Sequence, residues 1–182
     1  MPQPPRLGDD AQMPSNPPVV LPPGRAGELV TLLQLQPHPE GGFYREVFRS
    51  TAAVQHGDAR PARSALTTID FLLARGQFSA WHRVASDEVW HLLEGESLRL
   101  WLMPPSLDRV IAVDLGVATA TRAPRHVVPA QWWQAAEPLS DHALAGATVG
   151  PGFDFGDFSF LRADAPAKAA LERLAPELIR LL

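Results

Sequence analysis

The sequence contains no cysteine among its 182 residues. That absence excludes disulfide bonds, thiolate nucleophiles and zinc sites built from thiolates. Long apolar runs are missing too: no stretch approaches the roughly 18 residues that a membrane-spanning helix requires, and the N-terminus has no apolar signal-peptide core. We therefore expect a cytoplasmic protein without a membrane partner, whose chemistry comes from histidines, carboxylates, hydroxyls or amides.

Clusters of basic residues are also absent. The chain has 16 Lys and Arg against 20 Asp and Glu, for a net charge of −4. Proteins that bind DNA or RNA neutralise runs of phosphates with such clusters, so we expect no nucleic-acid partner.

Proline is concentrated at one end of the chain. Eight of the 19 prolines fall within residues 1–23, among few bulky apolar groups. Such a segment has little surface to bury in return for the entropy of ordering it. We predict a flexible arm over residues 1–23 and a single domain over residues 24–182, a length typical of one domain.

The residue pattern of the domain is typical of an all-β protein. Short runs rich in valine, isoleucine, threonine and aromatic residues alternate with Gly, Pro, Asp and Ser. They predict strands at 43–50, 64–73, 78–84, 88–94, 97–103, 110–115, 126–129, 132–135, 143–149 and 158–163. So many short strands favour a jelly roll or related barrel. Leucine spacing predicts one helix over residues 28–35, and a second follows the Asp164-Ala165-Pro166 sequence.

Two neighbouring strands place chemical groups among apolar residues. With a period of two, His82 shares a face with Val84, and Glu88 shares a face with Trp90. A tight turn between the strands would pair them antiparallel and bring His82 and Glu88 to the same side. The sequence therefore predicts a pocket holding an imidazole and a carboxylate.

The spacing of Gly76, His82, Glu88 and Gly95 resembles the first signature of the cupin superfamily. Only the proline of the second signature is kept, in residues 129–134. Four further segments resemble an RmlC-like branch of uncharacterised function: HPEGGFYRE at 38–46, SAWHR at 79–83, SDEVWH at 86–91 and PGFDF at 151–155. The resemblance covers roughly residues 28–180. It implies an RmlC-like jelly-roll barrel with a few flanking helices, and a homodimer.

The departures from the superfamily pattern concern metal binding. Metal-binding cupins use three histidines and one glutamate, but Val84 and Gln134 stand where the second and third histidines would be. An amide is a weaker ligand for transition metals than imidazole. We therefore predict no tightly bound metal cofactor, and leave open a weak divalent site at His82, Glu88 and Gln134.

The resemblance implies an enzyme that isomerises or epimerises a sugar or a similar polar metabolite. His82 would transfer the proton, and Glu88 would orient or charge-balance the imidazole. The predicted substrate contacts are Gln134, Ser79 and Trp90, with Tyr44, Arg45 and Glu46 near the barrel mouth as second-rank candidates.

Two other functions remain open: a ligand-binding or sensing barrel without turnover, and a metal-assisted hydrolase or oxygenase. Several residues are given structural roles instead. His91 is out of phase with Trp90 and should face away from the pocket. The segment 153–155 reads as a turn with two aromatic anchors and no chemistry. Core packing is predicted for the remaining tryptophans, Trp81, Trp101, Trp132 and Trp133.

Overall fold

The computed structural model describes residues 20–57 and 59–182. The predicted flexible arm, residues 1–23, therefore lies mostly outside the described residues. Within the described part of the chain, no helix is long and apolar enough to cross a membrane.

Thirteen strands and two α-helices form the described domain. The strands are β1 (Gln36–Pro37), β2 (Phe43–Arg49), β3 (Ala53–Val54), β4 (Arg63–Ser64), β5 (Thr67–Ala74), β6 (Ser79–Val84), β7 (Asp87–Gly95), β8 (Ser97–Met103), β9 (Ile111–Gly116), β10 (Arg125–Val128), β11 (Trp133–Pro138), β12 (His142–Gly150) and β13 (Phe158–Phe160). The helices are α1 (Gly24–Leu32) and α2 (Ala165–Leu174), with 3₁₀ turns at Phe155–Asp157, Leu161–Ala163 and Pro176–Leu181.

Two antiparallel sheets enclose the barrel interior. One has six strands in the order β1-β2-β5-β12-β7-β10, and the other has five in the order β13-β6-β11-β8-β9. The short strands β3 and β4 pair separately. The predicted all-β barrel with few helices is confirmed.

Side chains point alternately to the two faces of each strand, and the core is therefore divided into an interior cluster and two outer layers. Leu98, Leu100 and Leu102 of β8 point into the interior cluster. Trp81 and Trp133 point outward and are buried beneath the C-terminal helices. The other outer layer lies between α1 and the six-stranded sheet. The prediction that tryptophans other than Trp90 pack in the core is confirmed, since Trp101 and Trp132 pack against these clusters.

The first helix and the last strand have other boundaries than the sequence predicted, because the backbone turns at their ends. The first helix begins earlier, at Gly24, and ends at Leu32. Gln34 then takes a left-handed φ of 55°, a conformation incompatible with a continuing α-helix. The predicted strand at 158–163 ends at Phe160, because the chain turns at Leu161–Ala163 and buries Leu161 under the C-terminal helices.

The predicted pairing of the two site strands is wrong. β6 belongs to the five-stranded sheet and β7 to the six-stranded sheet, so residues 85 and 86 cross between the sheets instead of closing a hairpin. His82 and Glu88 therefore enter the interior from different sheets. Gln134 is the direct register partner of His82 on the neighbouring strand β11.

The homodimer stays a prediction. The outer face of the six-stranded sheet beyond α1 exposes apolar side chains, including Leu93 (56% exposed) and Val127 (50% exposed) on β7 and the edge strand β10. Association of two copies would cover this surface and the sheet edge. Analytical ultracentrifugation at micromolar concentration should give twice the chain mass of 19.8 kDa. A single-chain mass under those conditions would contradict the prediction.

Candidate active site

The barrel interior contains a cavity of about 460 Å³, within the size range of small-molecule sites, roughly 300 to 1,000 Å³. Its polar lining consists of His38, Glu40, Tyr44, Glu46, Arg49, Thr67, His82, Glu88 and Asp154. Its apolar lining consists of Ile69, Phe71, Val84, Trp90, Ala147, Val149, Phe153 and Phe155.

A larger groove, of about 730 Å³, lies on the surface between residues 20–26 and the turns at 75–77 and 140–142. The ion pair in its wall, Arg75 with Asp141, is exposed on both sides. We place the functional site in the smaller cavity, because buried titratable groups line it.

The side chain of Gln134 connects the two sheets. Its Oε1 accepts a hydrogen bond of 2.9 Å from Trp90 Nε1, an atom that can only donate. The amide nitrogen Nε2 therefore faces the other two partners, His82 Nε2 at 3.1 Å and Glu88 Oε2 at 2.5 Å. Both amide hydrogens and the amide oxygen are used, so the orientation of Gln134 is fixed.

This arrangement also fixes the protonation of His82. Its Nδ1 lies 2.8 Å from the carbonyl oxygen of Ala80, which can only accept, so Nδ1 carries the hydrogen. Its Nε2 then accepts from Gln134. The ring is only 2% exposed and stacks on Phe158. Burial lowers the pKa of His82, and Glu88 opposes that shift. The imidazole is neutral, with both nitrogens occupied.

Glu88 has one carboxyl oxygen held and the other free. Oε2 accepts from Gln134, whereas Oε1 makes no hydrogen bond with any described residue. The residue is 7% exposed and lines the cavity. Burial raises the pKa of Glu88 to about 7, an effect that nearby Glu40 reinforces and that His82 and Gln134 oppose. This carboxyl can therefore gain or lose a proton near neutral pH.

The loop between β1 and β2 brings two further groups into the cavity, His38 and Glu40. The loop can do so because Gly41 and Gly42 take positive φ values of 112° and 66°. A Cβ on Gly41 would lie 2.2 Å from the carbonyl oxygen of Phe78. The close approach is held by a 2.8 Å hydrogen bond from Ala80 N to Glu40 O.

The Glu40 carboxylate lies behind His82. Its Oε2 accepts a 2.7 Å hydrogen bond from Ser79 Oγ and lies 3.4 Å from His82 Nδ1. Burial raises the pKa of Glu40, and His38 and Ser79 oppose the shift. His38 Nδ1 accepts a 3.2 Å hydrogen bond from Glu40 N, so its hydrogen sits on Nε2. Burial lowers the pKa of His38.

The structure brings six of the eight sequence-predicted site residues to the cavity or its wall. His82, Glu88, Trp90, Tyr44 and Glu46 line the cavity, and Gln134 lies directly behind three of them. Their roles toward a ligand stay predictions.

The remaining two predicted residues lie elsewhere. Ser79 is fully buried, and its hydroxyl donates to Glu40 instead of facing the cavity. Arg45 is exposed and lies 3.5 Å from Gln34, because Arg45 is out of phase with Tyr44 and Glu46 along β2.

Sequence reasoning missed His38, Glu40, Arg49 and the turn at 153–155 as cavity residues. The segment 153–155 was assigned no chemistry, yet all three of its side chains line the cavity. The available signal for His38 and Glu40 was the double glycine at 41 and 42, which marks a close backbone approach. For Phe153 and Phe155 the strand pattern held no signal, since they follow β12 outside the strands, and Phe155 begins a 3₁₀ turn.

The residues at the cupin metal positions do not fit a transition metal. Within residues 20–57 and 59–182, no group of three or more His, Asp and Glu side chains is arranged to hold an ion. The His82 Nε2 lone pair, which a metal would need, accepts a hydrogen bond from Gln134. His38 presents an N–H instead of a lone pair to the cavity.

Two antiparallel sheets around a cavity lined by an imidazole and a carboxyl define a cupin barrel. A family model described as the cupin superfamily (DUF985) matches residues 27–161. The chain therefore belongs to the DUF985 family of cupins. Among curated proteins, no match was found.

Solved structures agree with this assignment. A Shewanella oneidensis protein solved by X-ray crystallography has a TM-score of 0.71 and 30% identity over 86% of this chain and 96% of that chain. A hypothetical protein from Leishmania major has a TM-score of 0.70 and 29% identity, over 86% and 97% of the two chains. Bacillus subtilis oxalate decarboxylase, at 16% identity and a TM-score of 0.52 over 80% of this chain and 36% of its own, shares the fold alone.

We predict that the purified protein carries well under one transition metal per chain. Val84 and Gln134 replace imidazole ligands, and the remaining imidazoles offer no free lone pair to the cavity. Elemental analysis after dialysis measures the content. The double variant Val84→His with Gln134→His, which restores the three-histidine pattern, is the positive control. Stoichiometric iron, manganese, nickel or zinc in the unmodified protein would contradict the prediction.

Proposed function

We propose that this cupin binds a small polar molecule in its interior cavity and transfers a proton to or from it, with Glu88 as the proton-carrying group. The observation that carries the proposal is the state of the Glu88 carboxyl. One oxygen is held by Gln134, the other faces the cavity without a partner among the described residues, and the pKa is raised to about 7. A base poised near the working pH is the most effective proton acceptor.

Gln134 and His82 have positioning roles in this proposal. The sequence pattern assigned the proton to His82, but both ring nitrogens are engaged, Nδ1 with Ala80 O and Nε2 with Gln134. His82 holds the amide of Gln134, and the amide in turn aims the Glu88 carboxyl. The carboxyl then requires no rearrangement of the protein before it reacts.

The reaction class that fits this group is an isomerisation or epimerisation of a polar metabolite. An isomerisation removes a proton from one carbon and returns it to the neighbouring carbon on the same face, which a single carboxyl near neutral pKa can do. An epimerisation inverts the carbon, so there a second group or a water molecule would return the proton from the opposite face. Trp90 lines the cavity beside Glu88 and supplies an aromatic side chain that could pack against a ligand ring. The rival function is ligand binding without turnover, which needs the same cavity but no proton transfer.

The test begins with the ligand. Native mass spectrometry identifies the small molecule that copurifies with the protein, and NMR in deuterated buffer then follows solvent-proton exchange and interconversion of that compound. Glu88→Gln keeps the shape and the acceptor oxygen of the side chain but removes the titrating proton. We expect it to lower turnover roughly a hundredfold or more.

The pH profile separates Glu88 from His82. With Glu88 as the base, kcat/KM should rise with pH through about 7, the pKa of that carboxyl. The rise should vanish in Glu88→Gln, which has no titrating carboxyl. In His82→Ala the rise should persist with a changed midpoint, because His82, like Glu40, shifts the pKa of Glu88 without carrying the proton.

His91→Ala is the control, since His91 lies on the same strand but points to the outer face beside Gly146. It should leave turnover nearly unchanged. If wild-type protein binds the compound in calorimetry yet exchanges no proton above background, the binding-only function replaces the proposal.

A further inference from the structure

The cavity contains two buried carboxyl groups that have no lysine or arginine partner among the described residues. Glu40 and Glu88 are 9% and 7% exposed. In the described part of the chain, no lysine or arginine forms a salt bridge with either of them. Two imidazoles lie near the Glu40 carboxyl group: Nδ1 of His82 is 3.4 Å from Oε2, and Nδ1 of His38 is 3.9 Å from Oε1. Buried carboxylates are costly unless a positive charge accompanies them.

The two imidazoles do not supply that charge. His82 is neutral because Nδ1 donates to Ala80 O and Nε2 accepts from Gln134. His38 Nδ1 accepts from the backbone of Glu40, so a second proton on that nitrogen would break the hydrogen bond. Both rings are therefore held in their uncharged forms.

Arg49 is the guanidinium in the cavity lining, and it is already neutralised. Its Nε and Nη2 donate to the two carboxylate oxygens of Glu46 at 2.9 and 2.7 Å. A third hydrogen bond, of 3.2 Å, runs from Nη1 to Phe153 O. A ligand anion would thus meet an occupied cation and, deeper in the cavity, two carboxyl groups that carry its own sign whenever they are ionised.

Aromatic rings make up much of the remaining wall. Phe71 and Trp90 stand edge to face, with centroids 5.8 Å apart, and His38 contacts Tyr44 at 4.4 Å. Phe153 and Phe155 line the cavity from the turn after β12. The faces of such rings attract cations, an interaction that strengthens when water is excluded.

We propose that the ligand of this cavity is a small organic cation, an ammonium compound whose positive charge is the counter-charge of Glu40 and Glu88. The inference rests on the proposed function in one respect only, that this cavity is the ligand site. A bare metal ion is disfavoured as the occupant, because the imidazole nitrogens present no free lone pair and the volume of about 460 Å³ suits an organic molecule.

Three probes of matched shape test the charge preference: cyclohexylammonium, cyclohexanol and cyclohexanecarboxylate. Calorimetry and NMR shift mapping at neutral pH measure their affinities and their place of binding on the purified full chain. We expect the ammonium to bind in the cavity at least about tenfold more tightly than the alcohol. The carboxylate should bind more weakly than either.

Variants then assign the preference to the carboxyl groups. Glu88→Gln and Glu40→Gln should each reduce the ratio of ammonium to alcohol affinity severalfold while leaving alcohol binding in place. Glu172→Gln, on the exposed side of α2, should leave the ratio unchanged. Thermal unfolding shows that each variant is folded, and retained alcohol binding shows that its cavity is intact.

Several results would overturn the inference: equal or tighter binding of the alcohol, tighter binding of the carboxylate, binding of none of the probes, or stoichiometric binding of manganese or zinc at Glu40 and Glu88. Alcohol binding without charge preference would leave the cavity as the ligand site and reject only the cationic class. Failure of the proton-transfer proposal would appear separately, in the exchange experiment.

Discussion

The hydrogen bonds of one amide, that of Gln134, determine the chemistry of the barrel interior. The side chain joins Trp90 and Glu88 of the six-stranded sheet to His82 of the five-stranded sheet. Each contact constrains the others, because an amide has one accepting and one donating end. Gln134 occupies the lone pair of His82 Nε2 and one oxygen of Glu88, so these three side chains form a hydrogen-bonded group around the carboxyl.

The unusual protonation of the site follows from burial. Burial in the barrel interior raises the pKa of Glu88 and Glu40 and lowers that of His82 and His38. Carboxyl and imidazole thus move toward their neutral forms together, because burial disfavours the charged form of each of these four side chains. A ligand that carries a proton or a positive charge then shifts the protonation equilibria of all four side chains.

The sequence predicted the fold well, because strand alternation and turn residues are local signals that the barrel preserves. It also predicted that His82, Glu88, Trp90 and Gln134 meet in the interior. The predicted pairing of the strands that carry His82 and Glu88 was wrong. A short link between two strands is equally compatible with a hairpin and with a crossing from one sheet to the other. The contribution of Glu40 was missed, because the glycines at 41 and 42 indicate a close backbone approach but not the segment approached, which is Ala80.

The central claim, that Gln134 keeps His82 neutral while Glu88 titrates, is tested most directly by isotope-labelled NMR of the two side chains across the pH range. The account predicts that His82 keeps its hydrogen on Nδ1 throughout the neutral range, while the Glu88 carboxyl carbon titrates with a midpoint near 7. In a Gln134→Leu variant, His82 Nε2 loses its hydrogen-bond donor, so the Nε2 chemical shift should move while Ala80 O still holds the hydrogen on Nδ1. A His82 ring that becomes an imidazolium near its ordinary pKa, beside a Glu88 already ionised well below neutral pH, would contradict the account.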